Sequence, residues 1–378
     1  MNVKILESID AVDAADWNRV AGTDDPFTRH EFLAALEHHD CVGEKFGWLP
    51  RHLTLWEGAC LTGAAPLYLK DNSYGELVFD WAWADAYQRN GLRYYPKLVS
   101  AIPYTPATGH RLLAAEGPGA PAIRQALATA GRELAENLGV SSLHWLFPRE
   151  EDTAALEKDG LFRRTGCQFH WHNRDYAGFD DFLGALTARK RKNIRRERRL
   201  VADAGVILEV RTGGEISDSE WSTWQRLYES TFETKWGIAT LTEGFFRELG
   251  HRLADQVVVI FARRRGEIIA GALCFRSREA LYGRHWGALE RHDSLHFETC
   301  YYQGIDYCIR EGLSRFEPGA QGEHKVPRGF LPATTCSAHW IGDPGFRAAI
   351  RRFCDQEADA MVDYMAEMAA HSPYRDQT

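Results

Sequence analysis

No run of about 18 apolar residues occurs in the chain, and the opening stretch MNVKILESIDAVDAADW has no apolar segment long enough for a signal peptide. The expectation is a soluble, cytoplasmic protein without membrane insertion. No CxxC pair occurs among the eight cysteines, several of which sit inside apolar stretches such as GALCF and YCI, so they read as reduced core residues. Clustered metal ligands are missing too. The nearest approach is HWH at His170–His172, two imidazoles on one face of a strand with no third ligand close by, and no metal is expected. A GxxxxGK[ST] phosphate loop, a GxSxG nucleophile elbow and an HExxH helix are all absent, and GPGAP at Gly117 is too short and proline-rich for a dinucleotide fingerprint. With only 14 prolines, 44% hydrophobic and 12% aromatic residues, long disordered spans are not expected.

What is present is unevenly placed. The chain carries −8 overall, yet Arg189–Arg199 holds eight basic side chains and one acid, a local +7 that leaves −15 elsewhere. One concentrated block suits a limited set of phosphates better than a long nucleic-acid track. The plain alternative is a solvated helix face. At 378 residues the chain exceeds what one core serves, about 250–300 residues, so two domains are expected.

Two segments share a layout. RHLTLWEGACLTGAAPLYLK from Arg51 and QVVVIFARRRGEIIAGALCFRS from Gln256 both read as hairpins. Each is followed by an aromatic stretch read as a strand, GELVFDWAWADAY and EALYGRHWGAL, then by a helix and another strand. A repeat this long points to domain duplication. The boundary is placed near Asn173, giving domains 1–173 and 174–378.

The basic block follows DFLGALTA without Gly or Pro, so one helix is expected over 180–204. Leu183, Leu186, Ile194 and Val201 form a narrow stripe completed by Lys190 and Glu197, which turns most arginines away from the core. Arg189, Lys190, Arg191, Lys192, Arg195 and Arg196 are the candidate phosphate ligands.

Polar groups gather among glycines in two later stretches. PGAQGEHKVPRGF offers Glu323, His324, Lys325 and Arg328 as candidate catalytic residues, with Gly319, Gly322 and Gly329 allowing close backbone approach. Glu323 or His324 suits a general base, and Lys325 or Arg328 an anion clamp or oxyanion stabiliser. LYGRHWGALERHDSLHFETC supplies Tyr282, Arg284, His285, Trp286, His296 and Glu298 as substrate-binding candidates, joined by Trp236. Taken alone, His285 suits a hydrogen-bonded core histidine and Glu298 a first-turn dipole partner.

LHFETCYYQGIDYCIREGLSRFEPGAQGEHKVPRGFLP, LYGRHWG and RKRKNIRRERR together resemble Fem-like N-acyltransferases of peptidoglycan biosynthesis or recognition, within the wider GNAT superfamily, and the resemblance runs over nearly the whole chain. It implies an α/β (α+β) fold of two tandem GNAT-like domains, each a mixed sheet flanked by helices. It also implies transfer of an acyl or aminoacyl group from aminoacyl-tRNA or acyl-CoA to an amine. The acceptor would be a peptidoglycan precursor, a small molecule or a peptide, and no cofactor would be tightly bound. The lysine shortly before a GF step in Fem ligases carries its role onto Lys325 or Arg328. ALERHDSLHFETC departs from the Arg/Gln-x-x-Gly-x-Gly/Ala turn with which GNAT enzymes hold the coenzyme A pyrophosphate, and this tilts the donor toward aminoacyl-tRNA. The two other expectations are an ordinary acyl-CoA-dependent GNAT enzyme and a non-catalytic protein that binds a cell-wall precursor or RNA.

Overall fold

The computed structural model describes residues 1–233, 237–320 and 322–375, and the chain divides into two compact units. Unit 1 comprises Met1–Cys167 and Thr334–Asp363, and unit 2 comprises Gln168–Ala333 and Tyr364–Thr378. This differs from the expected 174–378 second domain. Residues Ser337–Ile341 pair antiparallel with Ser142–Leu146, so that return strand belongs to the first unit. Sequence order alone does not reveal a pairing made across so long a stretch of chain.

In unit 1 the expected hairpin is present as His52–Glu57 and Cys60–Ala65, flanked by Asn2–Leu6 and Leu113–Ala114. A second sheet runs Trp48–Pro50, Tyr68–Lys70, Lys97–Ser100, Ser142–Leu146, the last two strands parallel. Parallel neighbours need a crossover, and the helix Ala120–Leu138 supplies it, ending on Gly139 in the left-handed conformation. Its Leu127 and Ala128 pack with Leu53, Leu98, Leu143 and Trp145 in a buried apolar core.

One expected strand of this unit is a helix. Within GELVFDWAWADAY, Trp81–Arg89 is helical, with Trp83 and Tyr87 buried. The alternation of aromatics and alanines looked like a strand, but the pair of buried rings is spaced four apart and lies on one helical face.

Unit 2 orders Val206–Thr212, Val257–Arg264, Glu267–Arg276 and Ala280–Ala288 antiparallel, with Arg315–Glu317 parallel to the last. The run from Val257 to Ala262 is wholly buried, as a β-branched strand covered on both faces should be. Helix Asp218–Glu233 lies directly on this sheet. A Cβ at Gly287 would meet the Leu227 carbonyl oxygen at 1.8 Å, so only glycine fits there. The crossover between the parallel strands is a helical stretch from Leu295 to Arg310. Both units thus contain a hairpin followed by a helix-linked parallel pair, the α/β (α+β) class of mixed sheets flanked by helices. No helix among the described residues is long and apolar enough to cross a membrane.

Candidate functional site

All the groups described here lie in unit 2. The basic block does not form one helix over 180–204. Phe179–Ala185 ends, Leu186 is extended, and a new helix runs from Ala188 to Asp203. The break has a cause far along the chain: Leu186 bridges Tyr374, and the Thr187 N–H donates to the Pro373 carbonyl at 2.9 Å. Leu183, Leu186, Ile194 and Val201 are buried as the stripe requires. Arg189, Lys192, Arg195 and Arg196 are exposed, whereas Lys190 and Arg191 are half-buried. Arg195 meets Asp180 at the surface, 3.2 Å away, and the Arg191 guanidinium is turned back toward the Leu186 carbonyl.

The inner edge of this helix is fastened by two ion pairs of opposite polarity. Glu197 takes Arg328 Nη2 at 2.8 and 3.0 Å and also accepts from the Tyr302 hydroxyl. Arg198, lying over the Phe179 ring, reaches the buried Glu298 at 3.1 Å, and Gln303 donates to the same carboxylate at 2.8 Å. Glu298, a substrate-binding candidate, therefore partners the basic helix.

Glu298 and Tyr302, four apart, lie on one helical face, and the helix carrying them is locally widened. Glu298–Tyr302 forms a π-helical turn between Leu295–Phe297 and Gln303–Arg310. Such turns shift residues around the axis and recur at functional sites. Here two consecutive tyrosines both face the segment Glu323–Arg328: Tyr301 meets His324 and Tyr302 meets Arg328.

That segment, expected as a loop, is a short 3₁₀ helix whose flanking Gly322 and Gly329 have φ of 122° and 99°. A Cβ at Gly322 would strike the His324 ring at 2.4 Å, so glycine there makes room for the imidazole. His324 is exposed, its Nε2 2.8 Å from the Tyr301 hydroxyl, and its rim is ringed by His296, Phe297 and Tyr301. Partial burial, with Lys325 and Arg328 alongside, holds its pKa below the ordinary imidazole value. Burial raises that of Tyr301, which stays a phenol.

The four catalytic candidates thus meet different surroundings. Lys325 is buried and donates to the Gly319 carbonyl at 2.7 Å, and desolvation pulls its ammonium down to about 8. Arg328 is buried, with Nε on Tyr302 at 3.0 Å, Nη1 on the His324 carbonyl at 2.7 Å, and Cζ 3.4 Å from the Phe297 ring centre. Glu323 faces outward and accepts from Tyr364 at 3.0 Å.

Of the substrate-binding candidates, Trp286 and His296 join this cluster, their ring centres 5.2 Å apart. His285 lies elsewhere, against Tyr228 and Phe246, and burial beside Arg284 pushes it well below the usual range. Arg284 is itself lowered to about 10 by desolvation. Tyr282 is buried opposite Glu317 in the parallel pair. Trp236 lies outside the described residues. His170 is buried with its Nε2 3.1 Å from Gln168, whereas His172 is exposed, and no group of three or more metal-type ligands is found among the described residues. Sequence reasoning missed Tyr301, Tyr302 and the role of Glu197. The usable signal was Glu197 itself, an acid on the buried stripe of a basic helix.

A sequence profile described as FemAB-like, peptidoglycan biosynthesis/recognition, matches residues 8–376. The chain belongs to the FemAB-like family. No protein of curated function matches it in sequence. Among solved structures, this FemAB-like chain is similar to FemX at TM-score 0.56 and 11% identity, covering 93% of this chain and 100% of that one. It is similar to L-PGS from Bacillus licheniformis at TM-score 0.53 and 11% identity, covering 87% of this chain and 96% of that one. At these identities the likeness is one of fold.

Proposed function

We propose that this FemAB-like protein is an N-acyltransferase, cytoplasmic, moving an acyl or aminoacyl group from an activated carbonyl donor to an amine. The observation carrying the reading is His324: an accessible imidazole whose pKa is held below its ordinary value by partial burial, seated against a phenol, beside a buried ammonium. With Nε2–H donated to Tyr301, Nδ1 holds the free lone pair. The neutral amine nitrogen bonds to the donor carbonyl carbon, and Nδ1 takes the proton that this nitrogen gives up. The tetrahedral oxyanion collapses, the ester or thioester bond breaks, and the leaving oxygen or sulfur is protonated from the imidazolium. Lys325 supplies positive charge for the oxyanion. Arg328 holds the segment in place, since Glu197, Tyr302 and the His324 carbonyl already take its donors.

The donor is aminoacyl-tRNA, with acyl-CoA the alternative. Arg189, Lys192, Arg196 and Arg199 form an exposed basic face larger than one pyrophosphate needs. The acceptor is an amine-bearing peptidoglycan precursor, or a small molecule or peptide with a free amine. General-base assistance contributes about 10²–10⁴ in rate, so His324→Ala should cost that factor in turnover while Glu323→Gln changes little. The pH profile should carry an acid limb with its midpoint below 6.5, absent from His324→Ala. Full turnover by His324→Ala would remove the assignment.

A further inference from the structure

Glu197 is the single carboxylate among the basic side chains from Arg189 to Arg199. It is three residues beyond Ile194 and four before Val201, so it shares the buried stripe of its helix while the cations occupy the outer faces. Arg328 Nη2 approaches its carboxylate at 2.8 and 3.0 Å, and the Tyr302 hydroxyl donates to it. Tyr302 in turn accepts from Arg328 Nε at 3.0 Å, closing a three-membered network. The remaining edge of the same guanidinium, Nη1, holds the His324 carbonyl at 2.7 Å.

We propose that Glu197 is a positioning residue for the transfer reaction. It fixes Arg328, Arg328 fixes the His324 peptide, and the helix whose outer face meets donor phosphates is thereby tied to the segment that carries the base. The proposal rests on the reading of His324 given above. Arg328 can act this way because a planar fork addresses several acceptors at once in fixed directions, and the Phe297 ring beneath it removes its remaining freedom. A lysine there would reach one acceptor and leave the others empty.

The neighbouring pair reinforces the register. Arg198 binds Glu298 with the charges reversed in sense from Glu197 and Arg328. A turn of the helix by one residue in either sense, about 100°, would set Arg196 or Arg198 against Arg328. The helix therefore has one rotational setting. With that setting fixed, contacts made by its outer cations and the position of His324 are properties of one rigid body.

The experiment compares Glu197→Gln and Tyr302→Phe with the wild-type full chain, using three readouts. These are the titration of the His324 ring by NMR, assigned with His324→Ala; amide exchange at Lys325 and Phe330; and binding of total tRNA. Tyr302→Phe removes the hydroxyl from the same network while keeping the ring, so the question is answered even if one variant folds poorly. In Glu197→Gln, exchange at Lys325 and Phe330 should accelerate by about tenfold or more, the scale set by losing a charged hydrogen bond. Its His324 midpoint should fall further, because an unneutralised guanidinium now sits beside the ring. tRNA affinity should stay within about twofold, since no outer cation is touched. In an active assay, kcat falls while KM holds. An unchanged His324 midpoint and unchanged exchange in both variants would overturn the proposal. Absence of tRNA binding by the wild type would instead count against the donor reading, and the titration and exchange would still decide the role of Glu197.

Discussion

His324 and Lys325 are adjacent in the chain yet carry opposite environments: one ring at the surface against a phenol, one ammonium buried against a carbonyl. The Lys325 environment has a measurable consequence. Its pKa is depressed to about 8 from the ordinary 10.5, so between those values the folded chain binds fewer protons than the unfolded one. The protein should therefore gain stability as pH rises from 8 toward 10.5, and Lys325→Met should lack that component. Thermal melts of both proteins at pH 7.5 and 9.5 check it: the wild type should gain more, and identical pH responses would contradict the buried ammonium. At this scale the polar cluster was legible because Glu323 to Arg328 sit together among glycines. What could not be read was which way each side chain points, since Tyr301, Tyr302 and Glu197 come from segments distant in sequence. Of the substrate-binding candidates, His285 packs against Tyr228 and Phe246, and Glu298 pairs with Arg198.

The basic helix is the element on which donor choice turns. Arg189, Lys192, Arg196 and Arg199 project from it as exposed cations. Each phosphate they neutralise should contribute a salt slope of about −0.7 to −0.9 to the logarithm of affinity. Lys192→Ala and Arg196→Ala should each weaken tRNA binding and flatten that slope by roughly one contact. Affinity indifferent to salt would make the helix a solvated face. Its buried positions were readable from spacing alone, because Ile194 and Val201, seven apart, keep helical periodicity. Its interruption at Leu186–Thr187 was not, because the bonds that impose it come from Pro373 and Tyr374. The helix Trp81–Arg89 failed for another reason: alternating Trp and Ala satisfies a two-residue period as well as a four-residue one.

Across the whole molecule, the hairpins, the crossover helices and the strands after them were legible, while their parallel pairing and the return of Thr334–Asp363 to unit 1 were not. Unit 1 also hides a polar network that nothing in its apolar strands announced. Lys97 Nζ donates to Glu76 and Ser73 at 2.8 Å and also pairs with Asp80; Tyr94 links Asp80 to His144, whose Nδ1 lies 2.7 Å from that of His339. Burial beside Lys97 lowers His144 to about 3, from 6.5. The folded state therefore refuses a proton that the unfolded chain takes, and stability from this group is lost as pH falls from 6.5 toward 3. Urea unfolding at pH 7 and pH 5 should show His144→Gln losing less stability than the wild type over that interval. An equal loss would argue that the imidazole is protonated in the native network.

The central claim concerns chemistry, and one assay meets it directly. Wild type and His324→Ala are incubated with an amine-bearing peptidoglycan precursor and either charged tRNA or acyl-CoA, and the acceptor mass is followed. An acyl or aminoacyl mass gain with the wild type, reduced by about 10²–10⁴ in His324→Ala, is the predicted result. A precursor that binds but gains no mass with either donor would contradict it and leave the protein as a recognition module.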